Sequence, residues 1–382
     1  MHCLRPAAIL LLALLPWSVP AQEWGDADRA RIASLALRQL PPPPPNPGNR
    51  VADDPLAAAL GQRLFFDTGL SRNGKFSCAS CHIPGRQFTD GLPTSRALGK
   101  VERNAPSLLT AAWHRWQFWD GRADSLWMQA TVPILNPQEL GQSAAGLRKL
   151  VRLRYINEFR TLFGESGLDD DGRLLSDIGK AIEAYERTLR PAATRFDAFA
   201  DALAAGHPTA GTLSGSEQAG LRLFLGKGQC LRCHHGPLLT SEGFQNTGTG
   251  KLPRRPSDHG RAVAIEPLLE SRYNCQGPYN DDPAHACPHL EFLRSVGPEL
   301  RGAFKVPSLR EVANTAPYMH DGRFATLAAV LDHYNRAPGV FERSGHTELF
   351  PLALTPPELG DLEAFLRSLS SGHIALQNGA SR

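Results

Sequence analysis

The sequence carries no appreciable excess of charge. Its 41 lysine and arginine residues nearly balance 38 aspartate and glutamate residues, which leaves a formal net charge of +3 over 382 residues. Such a balance provides no broad basic surface, so the composition argues against a nucleic-acid-binding protein. With 42% apolar and 21% charged residues, the chain is neither disordered nor collagen-like. Its length predicts roughly two globular domains.

Apolar stretches of membrane-spanning length are absent from the sequence. The nearest approach is the run from Ala7 to Leu15, which follows Arg5 and precedes Val19-Pro20-Ala21. A basic residue, a short apolar run and small residues in this order are typical of a cleavable secretory signal, here over residues 1–21. A retained amphipathic anchor is the alternative. The sequence thus predicts export to the bacterial periplasm and no stable membrane insertion after cleavage.

Five consecutive prolines, Pro41–Pro45, interrupt the next part of the chain. They fix φ and favour an extended polyproline II conformation. We therefore predict that residues 22–50 form a helix from Asp26 to Leu40 followed by a stiff linker. A polyproline ligand for a partner protein is the alternative. Apolar residues at helical spacing resume near Asp53, where the globular part of the chain is expected to begin.

Cysteine is scarce, and most of it lies in two short motifs. Removal of the signal with Cys3 leaves six cysteines, and four of them form the motifs Cys78-Ala79-Ser80-Cys81-His82 and Cys230-Leu231-Arg232-Cys233-His234. In a c-type cytochrome the two thiols bind the haem vinyl groups and the adjacent histidine coordinates the iron. Zinc sites and redox Cys-X-X-Cys pairs do not require a histidine there. The sequence therefore predicts two covalently attached haems, ligated by His82 and His234.

Two cysteines, Cys275 and Cys287, remain outside these motifs. They lie in a segment rich in Asn, Asp, Pro and Gly. In an oxidising compartment, a pair so close in sequence favours a disulfide with a structural role. Two free buried thiols are the alternative. The segment from Ser271 to His289 is either a docking element for a partner or a loop without a role in recognition.

Several phrases occur twice along the chain, once near each haem motif. The pairs are Gly61-Gln62-Arg63-Leu64-Phe65 with Gly220-Leu221-Arg222-Leu223-Phe224, Pro106-Ser107-Leu108 with Pro307-Ser308-Leu309, and Asp120-Gly121-Arg122 with Asp321-Gly322-Arg323. They indicate an internal repeat of one haem domain. We expect an N-terminal haem domain over residues 51–210 and a C-terminal haem domain over residues 211–375.

The register of the repeat distinguishes the two haems. Pro133 in the first copy corresponds to Tyr334 in the second. Tyrosine can be the sixth ligand of a haem iron, whereas proline offers no side-chain donor. We therefore expect Tyr334 to close the second haem and Pro133 to leave the first haem open. The alternatives are Met319 as the ligand of the second haem and Tyr334 as a hydrogen-bonded core aromatic.

Taken together, the motifs resemble those of the bacterial di-haem cytochrome c peroxidase superfamily. The resemblance covers nearly all of residues 52–372. It implies a mainly α-helical fold with two cytochrome c-like domains, and an enzyme in which peroxide reacts at the N-terminal haem. The matching motifs are Leu64-Phe65-Phe66-Asp67, Arg103-Asn104-Ala105-Pro106-Ser107-Leu108, Phe118-Trp119-Asp120-Gly121-Arg122, and the stretch from Pro307 through Ala316-Pro317-Tyr318-Met319-His320-Asp321-Gly322.

The resemblance also implies roles for three side chains. Trp119, which the repeat aligns with His320, matches the tryptophan that relays electrons between the haems. Glu139 matches the glutamate that acts as an acid and a base during cleavage of the peroxide bond. Gln129 matches a glutamine of the peroxide pocket in the MauG branch, where it would position peroxide or water by hydrogen bonds.

Two departures from the ordinary peroxidase pattern point to the MauG-like branch. Ordinary members block the resting N-terminal haem with a histidine, but residues 83–113 contain none. They also use methionine on the second haem, where this chain has Tyr334. In the MauG-like branch the diferric enzyme is already open, and both haems share the oxidising equivalents. Tyrosine, an anionic hard donor, should disfavour the ferrous state of the second haem.

The resemblance further implies one calcium ion between the domains. Asn104, Thr315 and Pro317 match its ligand positions, and side-chain and carbonyl oxygens suit a hard cation. Capping of a helix is the alternative role for Asn104.

We therefore predict a periplasmic di-haem oxidase that uses hydrogen peroxide to form high-valent haem iron and then oxidises an external donor, a protein. The first alternative is a cytochrome-c peroxidase that removes peroxide with electrons from a small cytochrome or cupredoxin. The second alternative is a di-haem electron-transfer cytochrome without enzymatic activity. The open coordination position expected beside Pro133 favours the two enzymatic functions over the electron-transfer cytochrome.

Overall fold

The computed structural model describes residues 23–207, 211–250, 257–291, 293, 297–337, 339 and 345–372. The predicted signal, residues 1–21, lies outside them. No helix within the described part is long and apolar enough to span a bilayer. The regular elements of this part are mainly helices: α1 Asp26–Leu35, α2 Pro55–Phe66, α3 Leu126–Leu135, α4 Ala144–Arg154, α5 Ile156–Phe163, α6 Asp171–Glu186, α7 Arg195–Ala204, α8 Gly215–Leu225, α9 Ile265–Glu270, α10 Pro288–Glu291, α11 Leu327–Arg336 and α12 Pro356–Ser368.

Strands contribute little to this mainly α-helical architecture. β1 (Phe244–Gln245) and β2 (Phe304–Lys305) pair antiparallel, with Phe244 opposite Lys305 and Gln245 opposite Phe304. Between the helices the chain runs mostly in short 3₁₀ turns and loops. The predicted fold class, mainly α, is therefore confirmed.

A first hydrophobic core forms around α6, which packs against α2 and α3. Asp54 starts α2 by accepting hydrogen bonds from the backbone N–H groups of Leu56 and Ala57 at its N-terminus, where such a cap is most effective. Gly61 lies where α2 crosses α6, and a Cβ atom there would collide with the carbonyl oxygen of Ala181. The absence of a side chain at Gly61 therefore allows the two helices to approach closely.

A second hydrophobic core forms around the pair α8 and α12. Gly220 on α8 meets the carbonyl oxygen of Asp361 on α12, as Gly61 meets α6 in the first core. Phe365 lies at the centre, with the rings of Phe224 at 5.1 Å and Phe196 at 5.6 Å. Phe196 belongs to α7, so this helix packs into the second core although it precedes the expected boundary near residue 210.

The N-terminal segment is tied to both cores. Helix α1 ends at Leu35, five residues before the predicted end, and buries Ile32 and Leu35 in the second core. The proline run that follows contacts the first core region, because Trp113 donates a hydrogen bond from Nε1 to the Pro41 carbonyl at 2.8 Å. Asn49 then donates to the Lys180 carbonyl on α6 at 3.0 Å. Residues 23–50 therefore form a strap along the protein surface and are not a free linker.

A third, smaller cluster lies beneath residues 271–289, which we call the disulfide loop. Cys275 and Cys287 are joined by a disulfide in the structure. Trp127 from α3 and Leu268 from α9 pack with Cys287 in this cluster. The disulfide loop thus covers the start of α3, the helix that carries Gln129 and Pro133.

Candidate functional site

One cavity of about 780 Å³ receives side chains from both hydrophobic cores. Both Cys-X-X-Cys-His motifs reach its wall, as do the residues expected to handle peroxide, relay electrons or bind calcium. The predicted residues on this wall are Cys78, Cys81, His82, Asn104, Trp119, Gln129, Pro133, Glu139, Cys230, Cys233, His234, Thr315, Pro317 and Tyr334. The disulfide cysteines are not among the lining residues.

The first motif forms a 3₁₀ turn, Cys78–Ser80, that places its thiols and His82 on the cavity side. The backbone N–H of His82 donates to the Cys78 carbonyl at 2.9 Å, which closes the turn. The ring Nδ1 of His82 lies 3.0 Å from the Phe88 carbonyl oxygen, to which it donates. This contact fixes the ring and leaves Nε2 available to a metal. Burial lowers the pKa of His82 and so favours the neutral, ligating imidazole.

The second motif has the same construction. Its 3₁₀ turn is Cys230–Arg232, and the His234 N–H donates to the Cys230 carbonyl at 2.8 Å. The ring Nδ1 of His234 donates to the Leu239 carbonyl at 2.8 Å. Burial lowers the pKa of His234 to about 4. Each motif therefore presents a neutral imidazole whose ring is oriented by a hydrogen bond from Nδ1 to a backbone carbonyl.

The four motif thiols are unbridged and face the cavity. Burial raises the pKa of each, that of Cys81 to about 11 and that of Cys230 to about 12, so they are uncharged at neutral pH. Two thiols and an oriented imidazole on one turn are the donor set for covalent attachment and ligation of a haem. The described residues thus fit two c-type haems.

The expected peroxide pocket lies along α3 and the turn that follows it. Gln129 and Pro133 are half-buried on α3, and Glu139 is half-buried in the turn. Burial is the main cause that raises the pKa of Glu139. The Asn136 amide, which donates to the carboxylate at 2.7 Å, and the charge of Arg122 oppose this shift. A carboxyl whose pKa is raised by burial is better suited to both accept and donate a proton than an exposed one.

Trp119 is held rigidly on the cavity wall. Its Nε1 donates to the Asn104 carbonyl at 2.9 Å, and its own carbonyl accepts from the Lys305 N–H on β2 at 2.7 Å. Phe118 adopts a left-handed backbone with φ of 66°, and the Arg122 guanidinium stacks 3.6 Å above its ring. Trp119 therefore has a fixed orientation, held by one hydrogen bond to Asn104 and one to β2.

His320 is a cavity residue to which the sequence analysis assigned no role. It is 2% exposed, and neither ring nitrogen has a hydrogen-bond partner among the described residues. Its ring stacks on Phe304 with centroids 3.6 Å apart, and Nε2 lies 3.7 Å from an oxygen of Asp258. Burial lowers its pKa to about 4. The signal was present in the repeat, which aligns His320 with Trp119.

Three further titratable side chains were missed. Glu186 on α6 lines the cavity, and burial, reinforced by Glu183, raises its pKa to about 8. Lys305 also lines the cavity, donates to the Trp116 carbonyl at 2.8 Å, and has its pKa lowered to about 8 by burial. No sequence pattern identifies Glu186 or Lys305 as a titratable site residue, because their pKa shifts are caused by burial under segments distant in sequence.

The third missed residue, His114, follows the histidine-free segment 83–113 immediately. Its Nε2 lies 3.0 Å from the Thr110 hydroxyl, and its Nδ1 lies 3.6 Å from Glu242. Burial lowers its pKa to about 4. Besides His82, the cavity wall near the first motif in sequence therefore carries His114, which is hydrogen-bonded to Thr110.

Tyr334 and Met319 both line the cavity. Tyr334 lies on α11, and burial, reinforced by the nearby Cys230 and Cys233 thiols, raises its pKa above the usual range. Met319 has a left-handed backbone, with φ of 73°. The expected ligand Tyr334 therefore lies close to the thiols of the second motif, and the alternative ligand Met319 lines the same cavity.

The expected calcium residues also line the cavity. Asn104 is buried, and its side-chain amide donates to the Leu92 carbonyl at 2.7 Å. This contact is not a helix cap, which leaves the side-chain oxygen of Asn104 for another partner. The Thr315 hydroxyl donates to the Val312 carbonyl at 3.2 Å.

The fold and the cavity thus define a mainly α-helical protein in which two motifs suited to covalent haem attachment line one cavity. Residues 55–204 match the family model described as di-haem cytochrome c peroxidase. Cytochrome-c peroxidase IdrP1 of Denitromonas iodatirespirans is 36% identical over an alignment of 361 positions that covers 89% of this chain and 89% of that protein. Methylamine utilization protein MauG of Methylorubrum extorquens is 31% identical over an alignment of 371 positions that covers 95% of this chain and 92% of that protein.

Solved structures agree with these relatives. The diheme peroxidase BthA of Burkholderia thailandensis superposes with a TM-score of 0.68 at 27% identity, covering 84% of this chain and 87% of that chain. A MauG-like protein associated with microbial copper homeostasis gives a TM-score of 0.64 at 29% identity, covering 87% of this chain and 94% of that chain. The chain belongs to the di-haem cytochrome c peroxidase family. It is an oxidoreductase that acts on peroxide, as the sequence predicted.

Proposed function

We propose that this chain is a MauG-like oxidase that uses hydrogen peroxide to oxidise an external protein. The observation that carries the proposal is the contrast between Pro133 and Tyr334. They occupy the same position on α3 and α11, two ten-residue helices that start after Ser125 and Thr326 caps, and both line the cavity. Because tyrosine can ligate a haem iron and proline has no side-chain donor, Tyr334 would ligate the second haem, whereas Pro133 would leave a coordination position of the first haem free.

The residues around the first motif support the handling of peroxide. A haem held by Cys78, Cys81 and His82 supplies the redox iron at which peroxide is reduced. Glu139 accepts a proton from peroxide and returns it to the departing oxygen, and Gln129 orients peroxide by hydrogen bonding. The half-buried setting of Glu139 supports this role, because a raised pKa brings proton acceptance and donation close in energy.

The two-domain architecture is part of the same proposal. Haem domains over residues 51–210 and 211–375, related by an internal repeat, are supported by the equivalent glycine contacts of α2 with α6 and of α8 with α12. Trp119 is proposed as the electron relay between the two haems, with Tyr334 as the sixth ligand of the second. Its fixed indole on the shared cavity wall supports the relay.

Calcium binding and export complete the proposal. Asn104, Thr315 and Pro317 are proposed to hold one calcium ion through oxygen atoms, supported by their place on one wall. The periplasm is the proposed location, supported by the signal pattern of residues 1–21 and by two motifs for covalent haem attachment. The donor is proposed to be a protein of the same compartment.

A cytochrome-c peroxidase with a small cytochrome or cupredoxin donor is the second candidate. The name of the relative from Denitromonas iodatirespirans, 36% identical to this chain, favours it. Met319, which lines the cavity, is the residue that would ligate the second haem in such an enzyme.

Stopped-flow visible and near-infrared spectroscopy of the diferric holoprotein with stoichiometric hydrogen peroxide tests these candidates. We expect a rapid change at both haems without prior reduction, and Trp119→Phe should confine the change to one haem. A reaction that begins only after one haem is reduced would replace the MauG-like proposal with the second candidate. If neither the diferric nor the half-reduced protein reacts, both enzymatic candidates fail.

A further inference from the structure

A cluster of metal-ligating side chains lies beneath the disulfide loop, away from the haem cavity wall. It consists of Asp124, the residue before the cap of α3, with Cys275 of the loop and His289 of α10. One carboxylate oxygen, the Cys275 Sγ atom and one ring nitrogen of His289 all lie within 4.8 Å of one another. Such a mixture of donors differs from an ordinary cluster of surface carboxylates.

Asp124 has an unsatisfied oxygen in this cluster. Its side chain is 0% exposed, and Oδ2 accepts a hydrogen bond from the Cys275 backbone N–H at 2.8 Å. Oδ1 is buried and has no hydrogen-bond partner among the described residues. A buried polar atom without a hydrogen-bond partner is unfavourable, and more so when the group is charged. A cation or a hydrogen-bond donor beside Asp124 Oδ1 would therefore stabilise the cluster.

The two distances from His289 to the other ligand atoms match those in a tetrahedral zinc site. His289 Nε2 lies 3.6 Å from Asp124 Oδ2 and 3.5 Å from Cys275 Sγ. Zinc bonds of about 2.0–2.3 Å in tetrahedral geometry separate neighbouring ligand atoms by roughly 3.3–3.8 Å. The distance of 3.6 Å is too long for a hydrogen bond. Both distances thus fit the edges of a zinc coordination polyhedron.

The fourth ligand is the partner of Cys275 in the disulfide. Cys287 is fully buried, and while the bond is intact neither sulfur is a thiolate, the form that binds metals. We propose that reduction of the Cys275–Cys287 disulfide opens a Zn²⁺ site made of both thiolates, His289 and Asp124. Two cysteines, one histidine and one carboxylate form a ligand set that zinc accepts.

The redox step is a thiol–disulfide exchange with a dithiol reductant. The reductant transfers two electrons and two protons, its own thiols become a disulfide, and Cys275 and Cys287 become thiols. Zinc binding then displaces the two thiol protons into solvent. A two-electron oxidant reverses the change by forming the disulfide and releasing the ion.

Contacts other than the disulfide also hold the disulfide loop in place. Lys180 on α6 is enclosed, and its Nζ contacts Asp281 at 2.7 Å and the Tyr279 carbonyl at 2.7 Å. Asp281 also accepts from the Arg50 N–H at 3.0 Å. These contacts tie the loop to α6 and to the N-terminal strap, so reduction leaves the four ligands close together.

Asp124 is not required for the start of α3. The repeat aligns it with Ala325, directly before α11, and the hydroxyls of Ser125 and Thr326 cap the two helices in the same way. A helix of the same length therefore forms without this carboxylate. The position of Asp124 is explained by the cluster and not by the architecture of the repeat.

The proposal is tested with Zn²⁺ on the untagged diferric holoprotein. Reduction with a phosphine, which oxidises to the phosphine oxide while the disulfide takes up two electrons, is followed by desalting and elemental analysis. Iron serves as the internal standard. We expect one zinc per two irons after reduction and less than a tenth of that in the untreated protein. Zinc-edge X-ray absorption should show two sulfur and two lighter ligands.

Variants separate this site from adventitious binding. His289→Ala and Asp124→Asn should each lower zinc retention at least tenfold. His285→Ala, at an exposed histidine of the same loop, should retain it. Zinc should also protect Cys275 and Cys287 of the reduced wild type from alkylation, which mass spectrometry measures without any variant. Equal zinc in oxidised and reduced protein, or unprotected thiols in the reduced protein with zinc, would overturn the proposal.

Discussion

Glu139 is the carboxyl whose surroundings suit it best to proton transfer at the cavity wall. Burial raises its pKa against the opposing effects of the Asn136 amide and Arg122. A group that titrates closer to neutrality is an efficient acid and base. We expect Glu139→Gln to slow the reaction with peroxide by about 10²- to 10⁴-fold, measured by stopped-flow spectroscopy of the diferric holoprotein.

A matched control separates proton transfer from a loss of charge. Glu102 also lines the cavity but is exposed, so Glu102→Gln should react at the wild-type rate. The wild-type rate should rise with pH through the raised pKa of Glu139, because only the ionised carboxylate accepts a proton. This rise should be absent in Glu139→Gln. A variant that keeps both the rate and the pH profile would remove Glu139 from the mechanism.

Tyr334 is the side chain whose hydroxyl is expected to ligate the second haem. Tyr334→Phe should therefore abolish the low-spin ferric signal of one haem, or replace it with that of a different ligand, in electron paramagnetic resonance spectra. Tyr318→Phe is the control, since Tyr318 lines the same cavity but donates its hydroxyl to the Val312 carbonyl at 3.0 Å. Met319→Leu should also leave both signals intact. An unchanged spectrum in Tyr334→Phe, with a changed one in Met319→Leu, would reassign the ligand to Met319.

At the scale of secondary-structure elements, the contact of α2 with α6 depends on a missing side chain. Because a Cβ at Gly61 would collide with the Ala181 backbone, Gly61→Ala should lower the free energy of unfolding by about 1–3 kcal/mol. Gly360, in the interior of α12, has no atom within 4 Å of the corresponding position. Gly360→Ala should raise that free energy by about 0.5–1 kcal/mol through helix propensity. Denaturant titration measures both, and a neutral Gly61→Ala would show that α2 shifts freely.

Helix α1 shows why element boundaries were harder to predict than the elements themselves. The pattern predicts a helix from Asp26 to Leu40, but distant groups end it at Leu35. The Leu35 carbonyl accepts from Arg310 at 2.8 Å, and the Leu37 N–H donates to Asp197 at 2.8 Å. These partners take the backbone groups that a longer helix would have used internally. A local sequence pattern holds no information about them.

The same distinction applies to the cavity. The haem-binding thiols and histidines could be predicted from the sequence, because each set lies in one contiguous motif whose geometry is set by a single turn of the chain. Residues such as His320 and Lys305 acquire their character from burial by other segments, which spacing alone does not reveal. The repeat gave the one available clue to His320, through its alignment with Trp119.

At the scale of the whole molecule, three connections join the two cores. The strap runs from α1 in the second core to Asn49, which donates a hydrogen bond to the Lys180 carbonyl on α6. Helix α7 extends the second core with residues that precede position 210. The cavity wall itself is the third connection, because it draws side chains from both cores. Unfolding of either half should therefore expose the haem environment of the other.

The pH dependence of stability provides a test of the central helix α6. Asp177 is buried there, and burial raises its pKa from 3.8 to about 7; Asp281 adds to the shift, while Lys180, Arg173 and Arg50 oppose it. The folded state thus binds the proton more tightly than the unfolded state. This contribution is complete below about pH 4 and is lost as pH rises through 7. Asp177→Asn should reduce the fall in unfolding free energy between pH 5 and 8 by roughly 2 kcal/mol.

Denaturant titrations of the holoprotein across that pH range measure the difference in slope. Asp26→Asn, at an exposed position of α1, is the control for the substitution itself and should keep the wild-type slope. Other buried acids, such as Glu186 with its pKa raised to about 8, act equally in both proteins and cancel in the comparison. Equal slopes for wild type and Asp177→Asn would mean that Asp177 is ionised in the folded protein, compensated by Lys180 and the two arginines.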